Sequence, residues 1–132
     1  MNNQALIIED DADLAIIFAE AIKAAGFETQ IIRDGRIALT QIVTSAPSIV
    51  VLDLHLPNVS GATILDKIRT DARLTQTLVI VTTADARLAD MLQTKADLVL
   101  VKPISFGQLR DLARRLKSSV SPAQQVNAGG QN

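Results

Sequence analysis

Four apolar runs in the chain each end on a polar or charged group. Ala5-Leu6-Ile7-Ile8 runs into Glu9-Asp10-Asp11, and Ile49-Val50-Val51-Leu52 stops at Asp53. Leu78-Val79-Ile80-Val81 stops at Thr82-Thr83, and Leu98-Val99-Leu100-Val101 at Lys102-Pro103. Short runs rich in β-branched residues and lacking alternation predict strands buried on both faces, as in a parallel sheet. Ligands of open parallel sheets bind beyond the carboxyl ends of the strands, where strand order reverses. The sequence thus gathers carboxylates, a hydroxyl and an ammonium at one edge. That set suits a divalent cation and a phosphoryl group, with an aspartate available as nucleophile.

Helical patterns separate these runs. Leu14, Ile17, Phe18, Ala21, Ile22 and Ala25 recur at three- and four-residue steps, and Gly26 supplies a stop. Residues 28–33 predict a further strand, closed by Asp34-Gly35. Leu39, Ile42, Val43 and Ala46 mark a second helix that ends before Pro47. The stretch 54–61 is a loop by its Pro, Asn and Gly, and Ile64, Leu65 and Ile68 carry a third helix. Residues 85–95 predict a short fourth helix with Leu88 and Leu92 on one side. Phe106, Leu109, Leu112, Ala113 and Leu116 give a fifth, with Ser105 as its N-cap. Five strand–helix repeats with right-handed crossovers predict an α/β, doubly wound (βα)5 fold of flavodoxin-like type. Its five-stranded parallel sheet would take the order 2-1-3-4-5, which sets Asp10 close to Asp53.

A chain of 132 residues, 48% apolar, is long enough for one domain with its own core. The absence of cysteine excludes disulfides, thiolate metal sites and cysteine nucleophiles. No apolar stretch approaches the roughly 20 residues of a membrane span, and no basic region precedes an apolar one at the N-terminus. A cytoplasmic protein without membrane contact is the expectation. The net charge of −1 hides an asymmetry. Glu9, Asp10, Asp11 and Asp13 stand together without a base, whereas Arg110, Arg114, Arg115 and Lys117 face Asp111 alone. The basic stretch reads as the solvated face of a terminal helix. Direct nucleic-acid binding is not expected: no helix-turn-helix pattern follows, and Tyr and Trp are lacking for base stacking. From Ser118 the chain turns polar, so residues 118–132 are expected to form a disordered tail or the start of a linker, after a domain at 1–117.

Four motifs add a family. Ile8-Glu9-Asp10-Asp11 follows the first strand, and Asp53-Leu54-His55-Leu56-Pro57 follows the third, with Gly61 eight residues past Asp53. Thr83-Ala84 follows the fourth strand and Lys102-Pro103 the fifth. Each is weak alone; in this order, each at a strand end, they resemble the receiver domain of bacterial two-component response regulators over residues 4–117. The resemblance implies that Asp53 is the phosphoacceptor, its carboxylate attacking phosphorus to give an aspartyl phosphate. It implies Mg²⁺ bound directly by Asp10, Asp53 and the backbone carbonyl of His55, and by Glu9 through water, with Mn²⁺ as a substitute. Asp11 and Asp13 serve the start of the first helix instead. Thr83, followed by Ala84, would donate its hydroxyl to a phosphoryl oxygen; Thr82 competes for that role. Lys102 would contact the phosphate and, beforehand, Asp53, and the Lys-Pro bond is often cis in the family.

His55, the single histidine, is read as a carbonyl donor with its imidazole toward solvent, since Mg²⁺ favours oxygen. Family logic also lets the side chains of His55 and Asp85 flank the phosphoryl group and set how fast water removes it. The implied partner is a sensor histidine kinase or histidine phosphotransfer protein. The output partner is unknown, or is an output domain outside this chain. The domain would be no enzyme beyond promoting its own phosphorylation and dephosphorylation.

The chain departs from the family pattern on one face. Val99 stands where receivers usually carry Tyr or Phe three residues before the lysine. Thr83 and Lys102 are 19 residues apart, about three fewer than the resemblance suggests. Lys95 occupies a common glycine position. Two alternatives follow. A degenerate receiver could act as a constitutive interaction module, with Val99 as its mark. An aspartyl-phosphate phosphatase of the haloacid dehalogenase type would also use Asp, Thr, Lys and Mg²⁺, but it needs an acid at the position of His55 and late acids where Lys102-Pro103 stands.

Overall fold

The structure, a computed structural model, describes residues 2–129. Five strands form one sheet: β1 (Gln4–Ile8), β2 (Glu28–Ile32), β3 (Ile49–Asp53), β4 (Leu78–Thr83) and β5 (Leu98–Val101). The helices are α1 (Ala12–Ala24), α2 (Gly35–Ser45), α3 (Gly61–Thr70), α4 (Ala86–Met91) and α5 (Phe106–Gly129), with a 3-10 turn at Ala72–Leu74. Strand order is β2-β1-β3-β4-β5, every pair parallel. The apolar runs alternate between two cores because successive side chains point to opposite faces. Ala5, Ile7, Ile49, Val51 and Ile80 pack with Phe18 and Ile22 of α1 and Leu109 and Ala113 of α5. Leu6, Ile8, Val50, Leu52, Val79 and Val81 pack with Ile42 of α2 and Ile64, Leu65 and Ile68 of α3.

The helix starts carry the expected chemistry. Asp11 accepts from the Leu14 amide at 2.9 Å, Ser60 from the Thr63 amide at 3.2 Å, and Ser105 from the Gln108 amide at 3.0 Å. Each satisfies an amide that has no partner inside its helix.

Two elements end elsewhere than the pattern predicts. The fourth helix stops at Met91 instead of reaching residue 95. The Leu92 amide closes on the carbonyls of Leu88 and Ala89, both at 3.2 Å. Beyond it Arg69 of α3 takes over, donating to the Lys95 carbonyl at 2.6 Å, the Thr77 carbonyl at 3.3 Å and Asp97 Oδ2 at 3.0 Å. The short Thr83–Lys102 spacing therefore appears as a six-residue helix and a pinned connection. At the other end, α5 continues past Lys117 to Gly129, into the segment whose composition suggests a tail. Extension of a helix already nucleated by packing adds one bond per residue fixed, so polar residues can follow it. The last part of that segment, 130–132, lies outside the described residues. Among the described residues, no helix is long and apolar enough to cross a membrane.

Candidate functional site

The β1–β3 register pairs Ile8 with Leu52, so the next residues, Glu9 and Asp53, emerge side by side at the switch point. Glu9, Asp10 and Asp53 bring carboxylate oxygens within 4.8 Å of one another. Glu9 and Asp53 are only 1% and 3% exposed, which makes their partners decisive. Lys102 Nζ reaches them from β5, at 3.0 Å from Glu9 Oε1 and 3.5 Å from Asp53 Oδ1. The His55 amide donates to Asp53 Oδ1 at 3.2 Å, and the Asp11 amide to Glu9 Oε2 at 3.2 Å. The Lys102-Pro103 bond is cis.

One ammonium faces two buried carboxylates, and the balance shows in their proton affinities. Burial lifts Glu9 to about 7, the nearby Asp53 charge adds to that, and hydrogen bonds from Lys102 and the Asp11 amide oppose it. Burial works to lower the Lys102 ammonium, but the hydrogen bond to Glu9 and the charges of Asp53 and Glu9 outweigh it and hold Lys102 above its usual value.

The other predicted residues stand on β4 and β5 and on the segments that follow β3 and β4. Thr83 is buried, and its Oγ1 accepts the Asp85 amide at 3.0 Å. Asp85 caps α4, its Oδ1 accepting from the Arg87 amide at 2.9 Å and the Leu88 amide at 3.4 Å. Ala84 and His55 are exposed. Val99 is half-buried and packs on the core beneath α3, opposite Val81 in register. Thr82 pairs in register with Asp53, and its Oγ1 is buried with no hydrogen-bond partner. Desolvating a hydroxyl without a partner costs about 1–3 kcal/mol.

Two further residues join the site. Arg33 donates from Nε and Nη2 to the Asp10 carbonyl, at 3.1 and 2.8 Å, fixing the backbone that carries the exposed acid. Its position just past β2 was the only signal, and any surface base could stand there. Gly61 lies against the end of β3: a Cβ there would come within 2.3 Å of the Asp53 carbonyl oxygen. Only a residue without a side chain lets α3 start so close.

The donor set fits a small, hard divalent cation. Three carboxylates with oxygens this close offer the oxygen ligands that Mg²⁺ and Mn²⁺ take, and leave room for waters. Two of these acids are buried with Lys102 as their one cation among the described residues, so a bound cation would offset their charge.

A doubly wound parallel sheet, with acids, hydroxyls and an ammonium converging at its switch point, defines a flavodoxin-like ligand-binding domain. The family described as the response regulator receiver domain matches residues 5–114. The DNA-binding response regulator MtrA of Mycolicibacterium paratuberculosis is 30% identical over 129 residues, 96% of this chain and 57% of MtrA. The sensory transduction protein RegX3 of Mycolicibacterium smegmatis is 34% identical over 115 residues, 86% of this chain and 48% of RegX3. Among solved structures, a CheY-like response regulator receiver domain from Methylobacillus flagellatus superposes with a TM-score of 0.75 at 27% identity, over 89% of this chain and 98% of that one. The chain belongs to the response regulator receiver domains, the signalling domains of two-component systems. It spans 57% and 48% of the two curated relatives, which are therefore much longer.

Proposed function

We propose that Asp53 accepts a phosphoryl group in a Mg²⁺-dependent reaction, from the phosphohistidine of a sensor histidine kinase or histidine phosphotransfer protein, and that this changes affinity for an output partner. The observation that carries the reading is the buried Asp53 carboxylate at the end of β3, 3.5 Å from Lys102 Nζ and beside Glu9 and Asp10. A carboxylate oxygen of Asp53 attacks phosphorus in line as the donor's P–N bond breaks, its electron pair returning to the imidazole. Lys102 already spans Glu9 and Asp53, so a small swing brings its ammonium to a phosphoryl oxygen. The Thr83 oxygen receives the Asp85 amide, which leaves its own O–H proton to donate to the phosphoryl group. Asp10, Asp53 and the His55 carbonyl would hold Mg²⁺, with Glu9 acting through water, and the bound ion would neutralise charge on the transferring group. The exposed side chain of His55 and the α4 cap Asp85, each two residues past a site residue, would set the access of water.

Residues 1–117 form the receiver in this reading, and 118–132 lead toward an output domain or a separate partner. The greater length of the relatives supports that division. No nucleic-acid or membrane contact is assigned to the receiver itself, and its chemistry is confined to its own phosphorylation and dephosphorylation.

Incubation with a small acyl phosphate and Mg²⁺, followed by intact mass, tests the reading. One acid-stable, base-labile phosphate should appear in the unmodified protein and none in Asp53→Asn. Asp10→Ala should need more Mg²⁺ and react more slowly. Uptake by Asp53→Asn at the unmodified rate would overturn the assignment.

A further inference from the structure

Thr82 Oγ1 is the one buried side-chain polar atom without a hydrogen-bond partner among the described residues. Thr82 stands in register with Asp53 on one side and Leu100 on the other. Strand alternation puts it on the face of Ile80, which packs toward α1 and α5. Glu9, Asp53 and Lys102 follow Ile7, Val51 and Leu100 by two residues and continue the same face. Lys102 follows β5, and its side chain reaches past β4 to Asp53 at the end of β3 and Glu9 just after β1; alternation sets Thr82 on the same side. A valine would fill the same volume without a desolvated hydroxyl. The hydroxyl therefore points to chemistry at Asp53.

We propose that Thr82 is a positioning residue for the phosphorylated state, donating its hydroxyl hydrogen to the Asp53 oxygen that Lys102 leaves when it turns to the phosphoryl group. The inference rests on Asp53 being the phosphoacceptor. Adjacent strands lie about 4.8 Å apart, so a rotation between staggered χ1 wells brings a threonine hydroxyl to an in-register carboxyl group. In hydrolysis the oxygen of water bonds to phosphorus and the P–O bond to Asp53 breaks. Its electron pair stays on Asp53, and the proton of water leaves with inorganic phosphate. Negative charge thus returns to the carboxylate as the bond breaks, and a hydrogen bond to a charged acceptor is stronger than one to a neutral carbonyl. The Thr82 hydroxyl stabilises that transition state more than the acyl phosphate, so it shortens the lifetime of the phosphorylated form.

The test is the decay of phosphate from Asp53, followed by intact mass after the small acyl phosphate used for loading is removed. Thr82→Val should prolong the lifetime about three- to tenfold while melting no lower than the unmodified protein, and Thr82→Ser should restore fast decay. Thr82→Ala serves the same purpose should the valine variant fail to fold. A merely structural threonine would change melting without this pattern of rescue. Decay from Thr82→Val at the unmodified rate, or equal decay from the Val and Ser variants, would overturn the role of Thr82 alone. Absence of phosphate on Asp53 in the unmodified protein would overturn the acceptor reading, and this one with it.

Discussion

Lys102, just past the edge strand β5, donates a 3.0 Å hydrogen bond to Glu9, just past β1, across the ends of the two strands between them. The contact holds the ammonium between two buried carboxylates, and in the proposed reaction it is the cation that would turn to a phosphoryl oxygen. It also ties the proton on Glu9 to the position of the lysine. A neutral Glu9 attracts the ammonium less, and an ammonium that moves away leaves Glu9 harder to ionise.

Glu9 makes stability depend on pH in the metal-free protein. Its affinity for a proton is raised from 4.5 to about 7, chiefly by burial, so the folded state binds more protons than the unfolded one between those values. The stabilisation is therefore full below the ordinary carboxylate range and is lost as pH rises through about 7. Urea midpoints in the presence of a chelator should fall from about pH 5 to about pH 8, and Glu9→Gln should flatten that decline. Lys102→Met should cost about 1–3 kcal/mol at the upper end and less at the lower, where Glu9 is protonated. An equal loss at both ends would show that the lysine is not the partner of an ionised Glu9.

Gly61→Ala should damage the fold and the acceptor together. The added methyl would meet the Asp53 carbonyl oxygen at 2.3 Å and Leu54 Cα at 2.6 Å, both backbone atoms that cannot swing aside. Overpacking of this kind costs about 1–3 kcal/mol, and the relief is a shift of the strand end that carries Asp53. Slower phosphorylation with a lowered denaturation midpoint is expected. Unchanged values in both measurements would mean that α3 can retreat freely.

The residues of the site were legible because a parallel sheet converts sequence position into place. Glu9, Asp53, Thr82, Thr83 and Lys102 each follow an apolar run, and strand ends meet at one edge. Strand alternation also separated Thr82 from Thr83, though it could not show which hydroxyl would be left without a partner. That depends on the packing around β4. Arg33 and Arg69 were not legible. Arg33 bonds to the Asp10 carbonyl and two of the three Arg69 bonds run to carbonyls, which carry no mark in sequence. The end of α4 was missed for the same reason: Leu88 and Leu92 have helical spacing, but the Arg69 bonds to Lys95 and Asp97 claim the following segment.

Asp97 is the residue on which that segment depends. Its Oδ2 accepts from the Val79 amide at 2.7 Å and from Arg69 Nη2 at 3.0 Å, which joins the start of β4, the end of α3 and the connection before β5. Asp97→Ala removes the acceptor of both bonds and should cost about 1–2 kcal/mol. Amide exchange should quicken between residues 92 and 98 while the Glu9–Lys102 contact keeps its pH signature. Unaltered exchange there would assign the anchoring to Arg69 and the Lys95 carbonyl alone.

The pinned segment and Val99 together limit how far a signal can spread. Thr83 can turn toward a phosphoryl group, but no large ring follows it inward, since Val99 has few contacts to give up and far less reach than an aromatic side chain. The bonds from Arg69 to Lys95 and Asp97 hold the connection between α4 and β5 against α3. Activation should therefore rearrange the face of α4, β5 and α5 only slightly, with weak or absent dimerisation through it. The larger changes belong to the loops that hold the site, residues 54–61 and 83–88. Amide hydrogen exchange with and without a phosphate mimic should show protection concentrated in those two loops. Strong protection across residues 88–116 with little change at the loops would defeat this account, and would place the output on the face that Val99 lines.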